Sequence, residues 1–274
     1  MSAVFADAPL ARRLETTEGQ GNAAFVDAQA RREPYSGAIR TEIAGTQVMF
    51  AGVGSPITQT FGLGMHQRPT DRDLEAIERF FTSRGSAVFH EVSPHAGVEV
   101  LAMLPGRGYK PVEISNVMIL EIKGAQGAQG AQGAQGAQGG LQVRRVHPNE
   151  AEWYGSIAAR GWSQEAPEVL PFIHGFARSS VECATCFVAE HDGQAIATAA
   201  LFMHGGVALL AGASTVPEGR RKGAQSALLD TRLSTAASQG CDLAMMVAAP
   251  GSASQRNAER NGFRVAYTRI KWQL

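Results

Sequence analysis

The sequence predicts a mixed α/β fold in two similar halves, and three observations carry that prediction. Apolar runs of strand length alternate with amphipathic helical patterns along most of the 274 residues. Five Gly-Ala-Gln repeats, Gly124 to Gln138, interrupt this alternation near the middle. A basic, glycine-containing turn, Arg220-Arg221-Lys222-Gly223, stands between an apolar strand and a helix in the second half only.

In the first half, residues 38–43 and 46–53 read as a hairpin, and residues 57–65 lead into a strand that ends in Gly62-Leu63-Gly64. Thr70 to Phe81 is an amphipathic helix, with Thr70 as its cap and Asp73 three residues on. Residues 87–92 form a strand, 98–104 a short helix, and 112–122 a closing strand.

The repeat tract contains no aromatic, β-branched or charged residue. It cannot bury enough apolar surface to offset its ordering entropy, and is expected to be a flexible linker over residues 124–140. A collagen reading fails, because the tract has no proline and too few triplets. The expected domains are therefore 1–123 and 141–274.

The second half begins with a strand at residues 141–146, followed by a helix carrying Trp153, Tyr154 and Ile157. A second helix, residues 167–180, places Leu170, Ile173 and Phe176 on one face. Residues 186–190 and 195–203 pair as a hairpin around His191-Asp192-Gly193. Residues 207–216 form the strand that delivers the basic turn. The helix after it buries Leu228, Leu229 and Leu233 and ends at Gly240. Then come a continuous apolar strand, residues 243–249, a short helix closed by Asn261-Gly262, and an alternating last strand, residues 264–272.

The chemistry concentrates at the turn. A helix start offers unpaired N–H groups and a partial positive charge to an anion, Arg220, Arg221 and Lys222 add charge, and Gly223 permits close backbone approach. The stretch Arg220-Arg221-Lys222-Gly223-Ala224-Gln225 resembles the acyl-CoA-binding motif of the GCN5-related N-acetyltransferases (GNATs), written Arg/Gln-x-x-Gly-x-Gly/Ala. Gln225 departs from it, standing where that family has Gly or Ala. The order strand, turn, helix, strand, short helix, Asn261-Gly262-Phe263, strand is similar to the second half of that fold. The whole chain resembles a tandem of two GNAT-like domains. The first is degenerate: Gly64-Met65-His66-Gln67-Arg68-Pro69 lacks the phosphate turn, and Asp71 and Asp73 at the helix start compete with a bound phosphate.

That resemblance implies acetyl-CoA as co-substrate, held by Ser214, Thr215, Val216, Arg220, Arg221, Lys222, Gly223, Ala224, Gln225 and Ser226. A backbone N–H of residues 214–216 would polarise the thioester carbonyl. Many family members carry a tyrosine acid four residues before the glycine of the Gly-Phe pair; here that position is Ala258. Ser254 and Asn257, one helical turn apart, either contact the pantetheine or thiol, or are capping or solvated positions. Tyr267 is a substitute acid or a core tyrosine. Glu165, Glu190 and His204 are candidate bases or solvated charges. Trp162 and Tyr154 line the acceptor site, or belong to the core or surface.

The implied activity is transfer of an acetyl or acyl group to a primary amine of a small molecule, amino acid or peptide, by direct attack in a ternary complex. The alternative is a non-catalytic acyl-CoA sensor or interaction protein. With Lys+Arg 25 against Asp+Glu 25 and no extended basic face, nucleic acid is not an expected partner. No uninterrupted apolar window reaches membrane-spanning length and no signal pattern opens the chain, so a cytoplasmic protein without a membrane partner is expected. It is expected to be a monomer with an internal pseudo-dimer, or a homodimer. Cys183-Ala184-Thr185-Cys186 has CxxC spacing, but only Cys241 accompanies it, so no zinc site or other metal site is expected.

Overall fold

The structure, a computed structural model, describes residues 4–122, 140–164 and 167–274. The Gly-Ala-Gln tract lies outside the described residues, and so does Glu165. The architecture is mixed α/β and divides into two compact units, residues 1–120 with 245–274, and residues 121–244.

The first unit opens with a helix absent from the sequence reading, α1 (Ala8–Arg32). Asp7 caps it by accepting the Leu10 N–H at 2.9 Å. Gly19 and Gly21 disguised it, because each interior glycine costs a helix about 1 kcal/mol relative to alanine. Gly19 is buried in the fold, where an added Cβ would stand 3.4 Å from Gln47 Cγ and 3.5 Å from Phe61 Cβ. The hairpin β1 (Ile39–Ile43) and β2 (Thr46–Phe50) follows, then the short β3 (Gln59–Phe61). Next come α2 (Asp71–Thr82), β4 (Phe89–Val92), α3 (Val98–Gly106) and β5 (Lys110–Glu121).

The expected cap of α2 forms as a reciprocal box: the Thr70 hydroxyl accepts the Asp73 N–H, and the Asp73 carboxylate accepts the Thr70 N–H at 2.8 Å. Leu74, Ile77 and Phe81 of α2 pack with Val48, Val88 and Val92 and with Val100 and Leu104 of α3. Behind them lies a buried chain of hydrogen bonds. His90 joins Thr60 Oγ1, 2.7 Å from its Nδ1, to the Tyr109 hydroxyl, 2.9 Å from its Nε2. Burial pushes the imidazole down to about 3, so it is neutral.

The second unit contains β6 (Leu141–Arg145), α4 (Ala151–Arg160), α5 (Leu170–Cys183), β7 (Thr185–His191), β8 (Gln194–His204), β9 (Val207–Thr215) and α6 (Ala224–Ser238). Strands β6 to β9 form consecutive antiparallel pairs. Helices α4 and α5 approach closely at Gly155, where a Cβ would stand 2.8 Å from the His174 carbonyl oxygen.

The chain returns to the first unit within β10 (Leu243–Ala248) and ends in α7 (Ala253–Arg260) and β11 (Arg264–Gln273). The last strand groups with the first unit. It lies between β4 and β5, antiparallel to both, and its register with β5 runs from Arg264 opposite Ile119 to Gln273 opposite Lys110. The first unit's strands thus run β1-β2-β3-β4-β11-β5, with only β3 and β4 parallel. The compact units therefore do not follow the repeat tract, and residues 245–274 cluster with the first 120 rather than with 141–244.

Candidate functional site

The end of β9, the turn after it and the start of α6 all belong to the second unit. A bulge lies in β9: Thr198 pairs with Ser214 and Ala200 with Ala211, so Gly212 and Ala213 oppose Ala199 alone. Gly212 meets the bulge with φ 59°, a value that favours glycine. The strand end is then fixed from two sides. The Ser214 hydroxyl donates to the Ala158 carbonyl at 2.7 Å, tying β9 to α4. The Val216 N–H donates to the Ile196 carbonyl at 2.9 Å.

Residues 217–219 form a 3-10 turn whose tight fit requires Gly219, since a Cβ there would stand 2.6 Å from Ile196 Cβ. Arg221 then adopts φ 63° and Gly223 φ 78°, two left-handed residues in a four-residue turn. Gly223 is the N-cap of α6, and no side chain caps that helix. The N–H groups of Ala224, Gln225 and Ser226 precede the first intrahelical bond, the Ala227 N–H to the Gly223 carbonyl. Helix-start donors, a left-handed glycine and the exposed Arg221 and Lys222 meet at this turn, a combination of groups suited to an anion.

Two side chains brace the turn. Gln225 turns its amide back onto β9, donating to the Ser214 carbonyl at 3.0 Å and to Thr215 Oγ1 at 2.8 Å. The residue that departs from the motif therefore clamps the helix start to the strand end. Arg220 donates to the Gly161 carbonyl at 3.3 Å, at the end of α4. Gly161 is itself pressed onto β9, for a Cβ would fall 1.8 Å from Ser214 Oγ and 2.9 Å from the Thr215 nitrogen.

The two aromatic candidates separate. Trp162, just beyond α4, is partly exposed at 39%. Tyr154 is 1% exposed and belongs to the core, where burial pushes its phenol far above the usual range. Its ring lines no accessible acceptor site. Burial likewise pushes the neighbouring Cys186 thiol up to about 12, as befits an inert buried thiol. Among the described residues, no group of three His, Cys, Asp or Glu is placed to hold a metal ion. Of the candidate bases, Glu190 accepts Arg144 Nε at 3.0 Å in an ion cluster with Glu150, and His204 ends β8.

Ser254, Asn257 and Tyr267 belong to the first unit. The cap of α7 is Ser252, whose hydroxyl accepts the Gln255 N–H, so neither Ser254 nor Asn257 is a capping residue, and both are exposed. Tyr267 is buried and donates its hydroxyl to Glu15 Oε1 at 2.8 Å. Sequence reasoning had no route to Glu15, because the helix that carries it was not read.

A mixed sheet whose strand end feeds an uncapped, basic, glycine-opened helix defines the class as α/β with a donor-rich helix start. Residues 149–263 match the model of the Acetyltransferase (GNAT) family. No curated protein matches the chain. Among solved structures it is similar to a GCN5-related N-acetyltransferase from Kribbella flavida, at 18% identity and TM-score 0.62, covering 96% of this chain and 95% of that one. It is also similar to a tandem GNAT protein from the clavulanic acid biosynthesis pathway, at 13% identity and TM-score 0.54, covering 93% and 94%. A GCN5-related N-acetyltransferase from Sphaerobacter thermophilus aligns at 16% identity and TM-score 0.52, covering 79% and 71%. At these identities the likeness is one of fold. Among the described residues no helix is long and apolar enough to cross a membrane.

Proposed function

We propose that the protein is an acetyl-CoA-dependent N-acetyltransferase whose co-substrate is held by the turn from Arg220 to Ser226, and whose acceptor is a primary amine of a small molecule, amino acid or peptide. The observation that carries this reading is the α6 start, where donors without a side-chain cap follow a left-handed glycine beside two exposed cations. That donor set fits a pyrophosphate. In this reading Ser214 or Thr215 supplies the N–H that polarises the thioester carbonyl. The amine nitrogen attacks the carbonyl carbon, the C–S bond breaks, and the nitrogen's proton passes to solvent or a base while the thiolate leaves.

A second reading, an acyl-CoA sensor, is favoured by the residues that would donate a proton. Ala258 stands where the family carries its tyrosine. Tyr267, the substitute, is bonded to Glu15, and burial pushes its phenol well above the usual range. Calorimetry with acetyl-CoA beside a thiol-release assay across an amine panel separates the two. Binding with turnover supports the transferase, binding without turnover on any amine supports the sensor, and absence of binding sinks both.

A further inference from the structure

Gln225 stands where the acyl-CoA motif has glycine or alanine, and its side chain makes contacts that neither of those residues could make. Its amide is turned onto β9, where Nε2 donates to the Ser214 carbonyl at 3.0 Å and to Thr215 Oγ1 at 2.8 Å. Its backbone N–H is one of the three donors at the start of α6 that precede the first intrahelical bond. One residue therefore serves the helix start with its main chain and holds the strand end with its side chain.

The strand end is held from two sides. Consecutive residues of a strand face opposite sides of the sheet, so Ser214 and Thr215 present their side chains to different layers. The Ser214 hydroxyl donates to the Ala158 carbonyl of α4 at 2.7 Å, and Thr215 Oγ1 accepts from Gln225 of α6. Gly161, at the end of α4, leaves no slack on its side, since a Cβ there would stand 2.9 Å from the Thr215 nitrogen. On the α6 side the corresponding restraint is the Gln225 amide. An alanine in its place would keep the helix-start N–H and remove the restraint.

An acyl-CoA carries its pyrophosphate and its reactive carbonyl at opposite ends of the pantetheine arm. A ligand gripped at two points gains affinity from the second grip only when the two points are held at the right spacing. We propose that Gln225 is a positioning residue: it fixes the end of β9 against the start of α6, so that one acyl-CoA molecule meets the phosphate donors and the carbonyl donor together. The inference rests on the acyl-CoA reading of the turn and adds to it the residue that sets the spacing of its two ends. The departure from the motif is then a working part of the site.

The test is calorimetry of the full-length protein with acetyl-CoA, and with ADP, a pyrophosphate without the arm, as a competitor against it. Gln225→Ala puts a strong helix former in the first turn of α6 and is expected to fold. It should weaken acetyl-CoA by about tenfold, the effect of losing a pair of neutral hydrogen bonds, and leave ADP within about twofold. Thr215→Val removes the acceptor hydroxyl and should also weaken acetyl-CoA relative to ADP. The double variant should lose less than the two single losses combined, because both act through one contact. Parallel loss of both ligands, unchanged acetyl-CoA affinity in Gln225→Ala, or additive losses in the double variant overturns the proposal and leaves the acyl-CoA reading in place. ADP that fails to displace acetyl-CoA from the wild type also overturns it, since the phosphate end would then have no grip of its own to preserve. Absence of acetyl-CoA binding to the wild type refutes the acyl-CoA reading, and the proposal with it.

Discussion

Substituting Gly223 by aspartate places a carboxylate at the mouth of the α6 start, and the structure separates its effect on folding from its effect on binding. Gly223 has φ 78° and ψ 0°, so any other residue there pays a left-handed cost of about 1 kcal/mol, at the low end for aspartate. Space is not limiting, since the atom nearest an added Cβ is Leu141 Cδ2 at 4.0 Å. The fold should therefore persist with a melting point lowered by a few degrees. For binding, a like charge about 4 Å from a phosphate oxygen opposes it by ~4 kcal/mol at an effective dielectric of ~20. Exposure and salt reduce that to about 2 kcal/mol, roughly a thirtyfold loss. The assay is calorimetry with acetyl-CoA on wild type, Gly223→Asp and Gly223→Asn. Asparagine accepts the same backbone conformation without the charge and should retain most of the affinity. Equal loss in both variants would show that bulk or backbone is at issue. Unchanged affinity in the aspartate variant would refute an anion site at this turn.

Gly161→Ala should push the end of β9 aside, because its Cβ would fall 2.9 Å from the Thr215 nitrogen, a backbone atom that cannot rotate away. A loss of about 1–3 kcal/mol in chemical denaturation, with weaker acetyl-CoA binding, is expected. Glu15 binds its proton more tightly in the fold, up to about 7 against an ordinary 4.5. Its contribution is therefore full below about 4.5 and is lost as pH rises through about 7. Across that window, melting temperatures should fall in wild type relative to Glu15→Gln, and parallel profiles would contradict the burial argument. The Cys186 thiol, pushed up to about 12 and 2% exposed, should resist maleimide in the native protein while the half-buried Cys183 reacts; mass spectrometry of labelled peptides reads both.

Local chemistry was legible wherever a short-range signal exists. The Thr70 and Asp73 box marked the start of α2, the His191-Asp192-Gly193 turn marked the β7–β8 hairpin, and the break after Ala248 closed β10. The basic turn was legible for the same reason, since a left-handed glycine before a helix is a local requirement. Helix α1 was not, because its two interior glycines read as breakers and its compensation is burial against residues 28 and 42 positions away. Tyr154 was left open between core and acceptor site, because an aromatic at helical spacing carries no mark of whether it faces core or ligand; its burial places it in the core. Gln225 looked like a defect in the motif, and its clamp on Ser214 and Thr215 became visible only with β9 and α6 in place.

The sequence by itself determined the order of most strands and helices and the position of one basic, glycine-opened helix start, because caps, turns and hydrophobic period are encoded within a few residues. Only the tertiary structure decided which strands are neighbours. The alternation in Arg264 to Gln273 states which side chains share a face of β11, but pairing is made by backbone groups that every residue carries. Nothing local could announce that β11 lies between β4 and β5. The same long-range pairing brings Tyr267 and Arg269 against Glu15 in the first unit.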